Sequence, residues 1–211
     1  MGSKLEWPAI YRDDLVNTCA ILFRGAFNQS GITPLDVIGS EEYADCFWAA
    51  LANQPGWGEP AWEKTSLLAH PTMLKGMAFL VRSFHNGEEA RDREAAHAKR
   101  DDIIKAISDG EVDFSHDNPL WRVYLMSRDE REAQFPGIED YITPDAVRRP
   151  YGIWDEDTIR LQLGTNTRDI SRYFADLVRY QLRDKVGLEP RPGLVSLKKK
   201  LAEAEAEKLV A

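Results

Sequence analysis

The sequence predicts a mainly α-helical fold: an irregular helical domain of about seven helices with long loops and room for one short strand segment. Three observations carry this. Apolar residues recur at helical spacing through several long stretches, strict alternation is nearly absent, and Gly, Pro or Asn punctuates the ends of the periodic segments. The 211 residues suffice for one sizeable core, and six Trp with eight Phe supply apolar area that a disordered chain lacks. The division expected is a helical globular domain over 1–193 followed by a charged helix over 194–211.

A first helix over 11–28 places Leu15, Cys19, Leu22 and Ala26 on one face. Thr33 is set to cap a short turn, with Pro34 at its first position and Asp36 reaching back. Ser40 reads as the N-cap of the next helix, Glu41 and Glu42 suit its positive end, and Phe47, Trp48 and Leu51 make its apolar stripe. After a Pro/Gly-rich loop over 54–60, a helix over 71–85 shows Met73, Leu74, Met77, Leu80, Val81 and Phe84 on one face. Lys75 and Arg82 lie opposite, and Asn86 and Gly87 end it.

Residues 88–108 read as helix with a solvated, charged first half, Glu89 and Arg93 spaced for an i,i+4 pair, and Ile103, Ile104 and Ile107 as the apolar patch. Asn118 caps a short helix through Met126. Residues 128–150, punctuated by Pro136, Gly137, Pro144 and Pro150, read as irregular with a helical turn after Thr143. Ile159, Leu161 and Leu163 alternate and form the candidate strand. Residues 165–185 make the clearest helix, ending at Gly187. The tail over 196–211 is a charged, Ala-rich helix whose weak stripe (Leu197, Leu201, Leu209) suits peripheral or intermolecular packing.

Composition narrows the functional classes. A net charge of −8 works against global, non-specific attraction to nucleic acid, though not against a local basic stripe. No apolar run approaches the roughly 20 residues that span a bilayer, so no membrane partner is expected. Residues 1–8 lack the basic and apolar regions of a signal peptide, and Glu6 stands where a myristoylation site wants Ser or Thr. Cys19 and Cys46 both sit in apolar helical patterns and read as two buried, reduced thiols, which favours a cytoplasmic location.

Catalytic signatures are missing. His70, His85, His97 and His116 form no ligand pair with a second His or a Cys on one helix face, and HExxH, CxxC, EF-hand, phosphate-loop and nucleophile-elbow patterns are absent. His116 sits among Asp113, Ser115 and Asn118 in what reads as a turn whose side chains bond the local backbone. The carboxylates Glu88, Glu89, Asp155, Glu156 and Asp157 suit a helix start and a solvated turn better than a metal or acid–base site. Neither a cofactor nor a catalytic residue is therefore expected.

One arrangement stands out. Arg168, Arg172, Arg179 and Arg183 fall within roughly 60° of one another on the helix over 165–185, opposite Ile170, Tyr173, Phe174 and Leu177. Such a stripe can follow a phosphate backbone, which makes these four the candidate DNA-binding residues. Charged outer faces are expected of amphipathic helices, so the solvated face, partly neutralised by Asp169 and Asp176, is the first reading and the DNA stripe the second.

Three stretches resemble the C-terminal part of DndB-like proteins, the DGQHR-domain relatives associated with DNA sulfur modification. They are the aromatic segment with Phe47, Trp48 and Leu51 and its Trp-containing loop, the stretch LAHPTMLKGMAFL over 68–80, and VDFSHDNPLW over 112–121. The Asp-Gly-Gln-His-Arg motif itself and the N-terminal ParB-like region are absent, so none of that motif's residues carries over. The resemblance implies a fragment, a truncated relative or one half of a split gene, in a prokaryotic DNA-modification or defence setting. It also implies regulatory DNA binding, with DNA, a protein partner or an upstream DGQHR-containing half as partners. The alternatives from the residues themselves are a protein-interaction or scaffold domain and, on loose carboxylates alone, a metal-dependent nuclease.

Overall fold

The computed structural model describes residues 12–25, 32–59, 62–87, 89–144, 152–155, 160–163 and 167–210. The fold is mainly α-helical. In chain order the helices are α1 (Arg12–Arg24), α2 (Pro34–Val37), α3 (Glu41–Ala52), α4 (Pro71–Asn86), α5 (Arg93–Ser108), α6 (Arg128–Gln134), α7 (Thr167–Val186) and α8 (Pro192–Val210). Short 3₁₀ turns sit at Trp62–Lys64, Leu67–Ala69, Pro119–Leu125 and Ile138–Asp140. A two-stranded antiparallel hairpin pairs β1 (Gly152–Asp155) with β2 (Arg160–Leu163), where one strand was expected; Ile159 lies outside the described residues.

Helix α4 is the hub. It packs against α1, α5 and α7, and α3 reaches the same core through α1 and α5. Its apolar face is buried as expected, but so are Thr72, Lys75, Gly76, Ala78 and His85 around the rest of its circumference. The expected outward face at Lys75 and Arg82 is therefore corrected. Lys75 is buried and its Nζ donates to Asp14 Oδ1 of α1 at 2.8 Å, while Arg82 is half-buried between cavities described below. Neighbours on most sides leave this helix only a narrow strip at Phe79, Arg82, Ser83 and Asn86 towards solvent, so a polar residue off that strip, such as Lys75, is paired inside.

The α4–α7 contact is close because Gly76 lacks a side chain. A Cβ there would stand 2.7 Å from the Ser171 carbonyl oxygen and 3.1 Å from Phe174 Cβ. Ser171 Oγ donates to Thr72 O at 3.0 Å across the same seam. On α7, Ile170, Tyr173, Phe174 and Leu177 are buried as their period predicts.

Helix ends follow their local chemistry in most places. Thr33 accepts from and is bonded back by Asp36, and the Asp36 carboxylate takes both the Thr33 N–H and its hydroxyl at 2.8 Å. Asn118 Oδ1 accepts from Leu120 N–H at 3.0 Å, and Asp113 Oδ1 accepts from Ser115 N–H at 2.9 Å, which is the turn expected around His116. Ser40 precedes α3 but makes no side-chain cap; its hydroxyl turns inward to His85. Residues 128–134 form α6 rather than irregular chain, because Ser127 and Glu130 close a reciprocal capping box. The turn expected after Thr143 falls largely outside the described residues. Helix α5 starts only at Arg93, capped by Asp92. Helix α8 begins four residues earlier than expected, at Pro192, with Leu194 buried and Leu197 and Leu201 half-buried. The thiols also differ from expectation: Cys19 is half-buried and Cys46 exposed.

Candidate functional site

Two cavities of about 300 and 320 Å³ open beside α4 and share Arg24, Arg82 and Asn86 in their walls. The first lies between the end of α1, α4 and α7, and is lined by Arg24, Arg82, Arg172, Arg179 and Arg191 together with Phe79. Among the described residues no carboxylate is part of that lining. The second lies between α1, α2, α4 and α5, where Phe23, Asp36, Ser40, His85, Arg93 and His97 join the shared residues.

The arginines differ in how far they are committed. Arg179 is buried; its Nη2 donates to Glu89 Oε1 at 2.7 Å and Ser83 Oγ at 3.1 Å, its Nη1 to Glu189 O at 3.2 Å, and its guanidinium lies 5.1 Å from the Phe84 ring centre. Arg191 Nε donates to both carboxylate oxygens of the buried Asp176, at 2.9 and 3.0 Å. Burial pushes Asp176 up to about 6 against the pull of Arg191 and Arg179. Arg172 is half-buried, 5.8 Å from the Phe79 ring centre.

Arg82 is the exception. Its Nε and Nη1 are buried without a hydrogen-bond partner among the described residues. Burial lowers its pKa, opposed by the charges of Tyr43 and Asp36, although a guanidinium remains cationic in proteins. Donors of a charged group left unmet inside a protein cost about 1–3 kcal/mol or more. Such a group calls for an explanation, and an acceptor supplied from outside is one.

In the second cavity the histidines meet although they lie on different helices. The His85 and His97 rings stack at 4.9 Å with 14° between their planes. Arg100 Nη1 lies 2.8 Å from His85 Nδ1; since Arg only donates, Nδ1 accepts and the ring proton sits on Nε2, facing Ser40 Oγ at 3.5 Å. Burial, helped by the charges of Arg100, His97, Arg82 and Arg93, lowers the His85 pKa to about 4, so the ring is neutral at pH 7.

The four arginines expected to form one exposed stripe on α7 therefore separate. Arg168 is exposed at the start of the helix. Arg172 and Arg179 line the first cavity, Arg179 as a buried ion-pair member and not a solvated group. Arg183 lies 3.8 Å from the Tyr180 ring centre and donates to Tyr180 O at 2.7 Å. The expected Glu89–Arg93 pair is corrected too, because Glu89 is taken by Arg179. Arg24, Arg82 and Arg191 were not expected as site residues from the sequence, Arg82 being read only as part of the outward face of its helix. They come from three separate places in the chain, and no local spacing links them.

Among the described residues no group of three His, Cys, Asp or Glu side chains could hold a metal ion, and no helix is long and apolar enough to cross a membrane. No protein-family profile, curated protein or solved structure matches the chain.

Proposed function

We propose that this chain is a non-enzymatic helical module of a prokaryotic DNA-modification or defence system, working in the cytoplasm and holding DNA by its phosphates in a regulatory role. The observation that carries the binding is the convergence of Arg24, Arg82 and Arg172 on one cavity, with the ion-paired Arg179 and Arg191 in its wall, in a chain whose net charge is −8. Concentrating guanidinium groups against the overall charge is what phosphate recognition requires, since Arg matches phosphate oxygens with paired donors. The biological setting comes from the resemblance to DndB-like proteins over 47–51, 68–80 and 112–121. Phe47, Leu68, Met73 and Trp121 from those stretches are buried in the hydrophobic core.

Fluorescence anisotropy with labelled DNA, offered as duplex and as single strand, tests this. Binding is expected to be modest and to fall steeply with salt, because the cleft must overcome the acidic remainder of the chain. Replacing Arg172 by Gln should weaken binding alike across sequences and reduce the salt slope by about 1. A folded protein that binds neither form at low salt rejects the reading. The scaffold alternative is favoured by Leu35 and Ile38, which are 80% and 65% exposed beside the second cavity. A protein partner lost on Leu35→Ser, with no DNA binding, would make it the better description.

A further inference from the structure

We propose that Arg24 and Arg82 grip one phosphodiester of a single DNA strand at the junction of the two cavities, with the flanking bases lying against Phe79 on one side and Phe23 on the other. This rests on the DNA reading above and names the form of DNA recognised.

The buried Nε and Nη1 of Arg82 have no partner among the described residues, and a guanidinium can only donate. An anionic acceptor in the cavity balances its charge, and it meets Nε and Nη1 once the side chain turns towards it, since both atoms are shut off from solvent as they stand. Arg82 stands in the wall common to both cavities, beside Arg24 and Asn86. The two chambers are of similar volume, about 300 and 320 Å³, and each has one half-buried Phe in its lining. A cationic centre with an aromatic ring on either side mirrors a phosphate with a base on either side.

A single strand can turn its bases out onto aromatic rings, and such stacking tolerates any base. A duplex keeps its bases paired and stacked, and its stiffness resists entry into concave chambers of this size.

The experiment compares a labelled oligothymidine of about 12 nucleotides with a duplex of the same length, using the full chain and its variants. The single strand should bind at least about tenfold more tightly than the duplex. Arg82→Met should lose about tenfold or more in single-strand affinity while its melting temperature stays level or rises, because the methionine removes unmet donors. A structural arginine would give the opposite, a lower melting temperature. If Arg82→Met does not fold, Arg24→Gln at an exposed position carries the same expectation of lost affinity. Phe79→Leu should weaken single-strand binding several-fold.

Duplex binding as tight as single-strand binding, or single-strand binding indifferent to Arg82→Met and Arg24→Gln, overturns this inference and leaves the DNA reading standing. Binding of neither form overturns both. Inorganic phosphate bound in an Arg82-dependent way, with no strand bound, overturns the strand assignment.

Discussion

Replacing Gly76 by Ala should destabilise the protein, although on an open helix the same change would stabilise it. The new Cβ would meet the Ser171 carbonyl oxygen at 2.7 Å, where ordinary contact begins near 3.4 Å, and Phe174 Cβ at 3.1 Å. The obstacle is backbone, so it cannot swing aside as a flexible side chain would. The α4–α7 seam must open by about 0.7 Å at this point, as overpacked cores do. That opening also stretches the bond from Ser171 Oγ to Thr72 O. Overpacking costs about 1–3 kcal/mol and the weakened hydrogen bond up to about 1 kcal/mol, against a helix-propensity gain of about 1 kcal/mol. The net expectation is a loss of up to about 3 kcal/mol. Urea unfolding followed by circular dichroism at 222 nm should show a lower midpoint at unchanged slope. Gly76→Val should cost more than Gly76→Ala. An alanine variant more stable than the parent would refute the close approach of α4 and α7.

The same unfolding assay should show Arg179→Gln to cost about 3 kcal/mol, because it leaves Glu89 without its buried partner, whereas Arg183→Gln should fall within about 0.5 kcal/mol. Equal effects at the two positions would mean that Arg179 is solvated. Stability should also fall as pH drops from about 6.5 towards 4. His70 has a folded pKa lowered to about 4, chiefly by burial, and its Nδ1 accepts from Thr72 N–H, so the unfolded chain takes up the proton first. His70→Asn keeps an acceptor at the cap but removes the titration, and should flatten that window by at most about 3 kcal/mol. Asp176, raised to about 6, acts in the opposite sense, so comparison of variant with parent is the readout. Among thiol-reactive probes, Cys46 should label quickly in the native state and Cys19 slowly, since Cys19 is half-buried and burial raises its pKa. Equal rates would contradict that placement.

What the sequence determined by itself is the set of interactions made within one turn or one helix face. The capping signals at Thr33 and Asn118 are short-range and appear where they were expected, as does the apolar face of α7 through Ile170, Tyr173, Phe174 and Leu177. The Ser127–Glu130 box was equally local, but the surrounding Pro and Gly obscured it. Periodicity reports that a helix has an apolar face; it does not report how many neighbours the helix has. Helix α4 packs against α1, α5 and α7, so Lys75, on its polar side by pattern, is drawn inside and Arg82 is left half-buried. The cleft is likewise a tertiary product. Arg179 meets Glu89 and Ser83 across 90 and 96 residues, and Arg24, Arg82 and Arg191 share a cavity only because three helices and a connection converge. Ion pairing depends on distance through space, falling off within a few ångströms, and distance between residues so far apart in the chain is decided by packing.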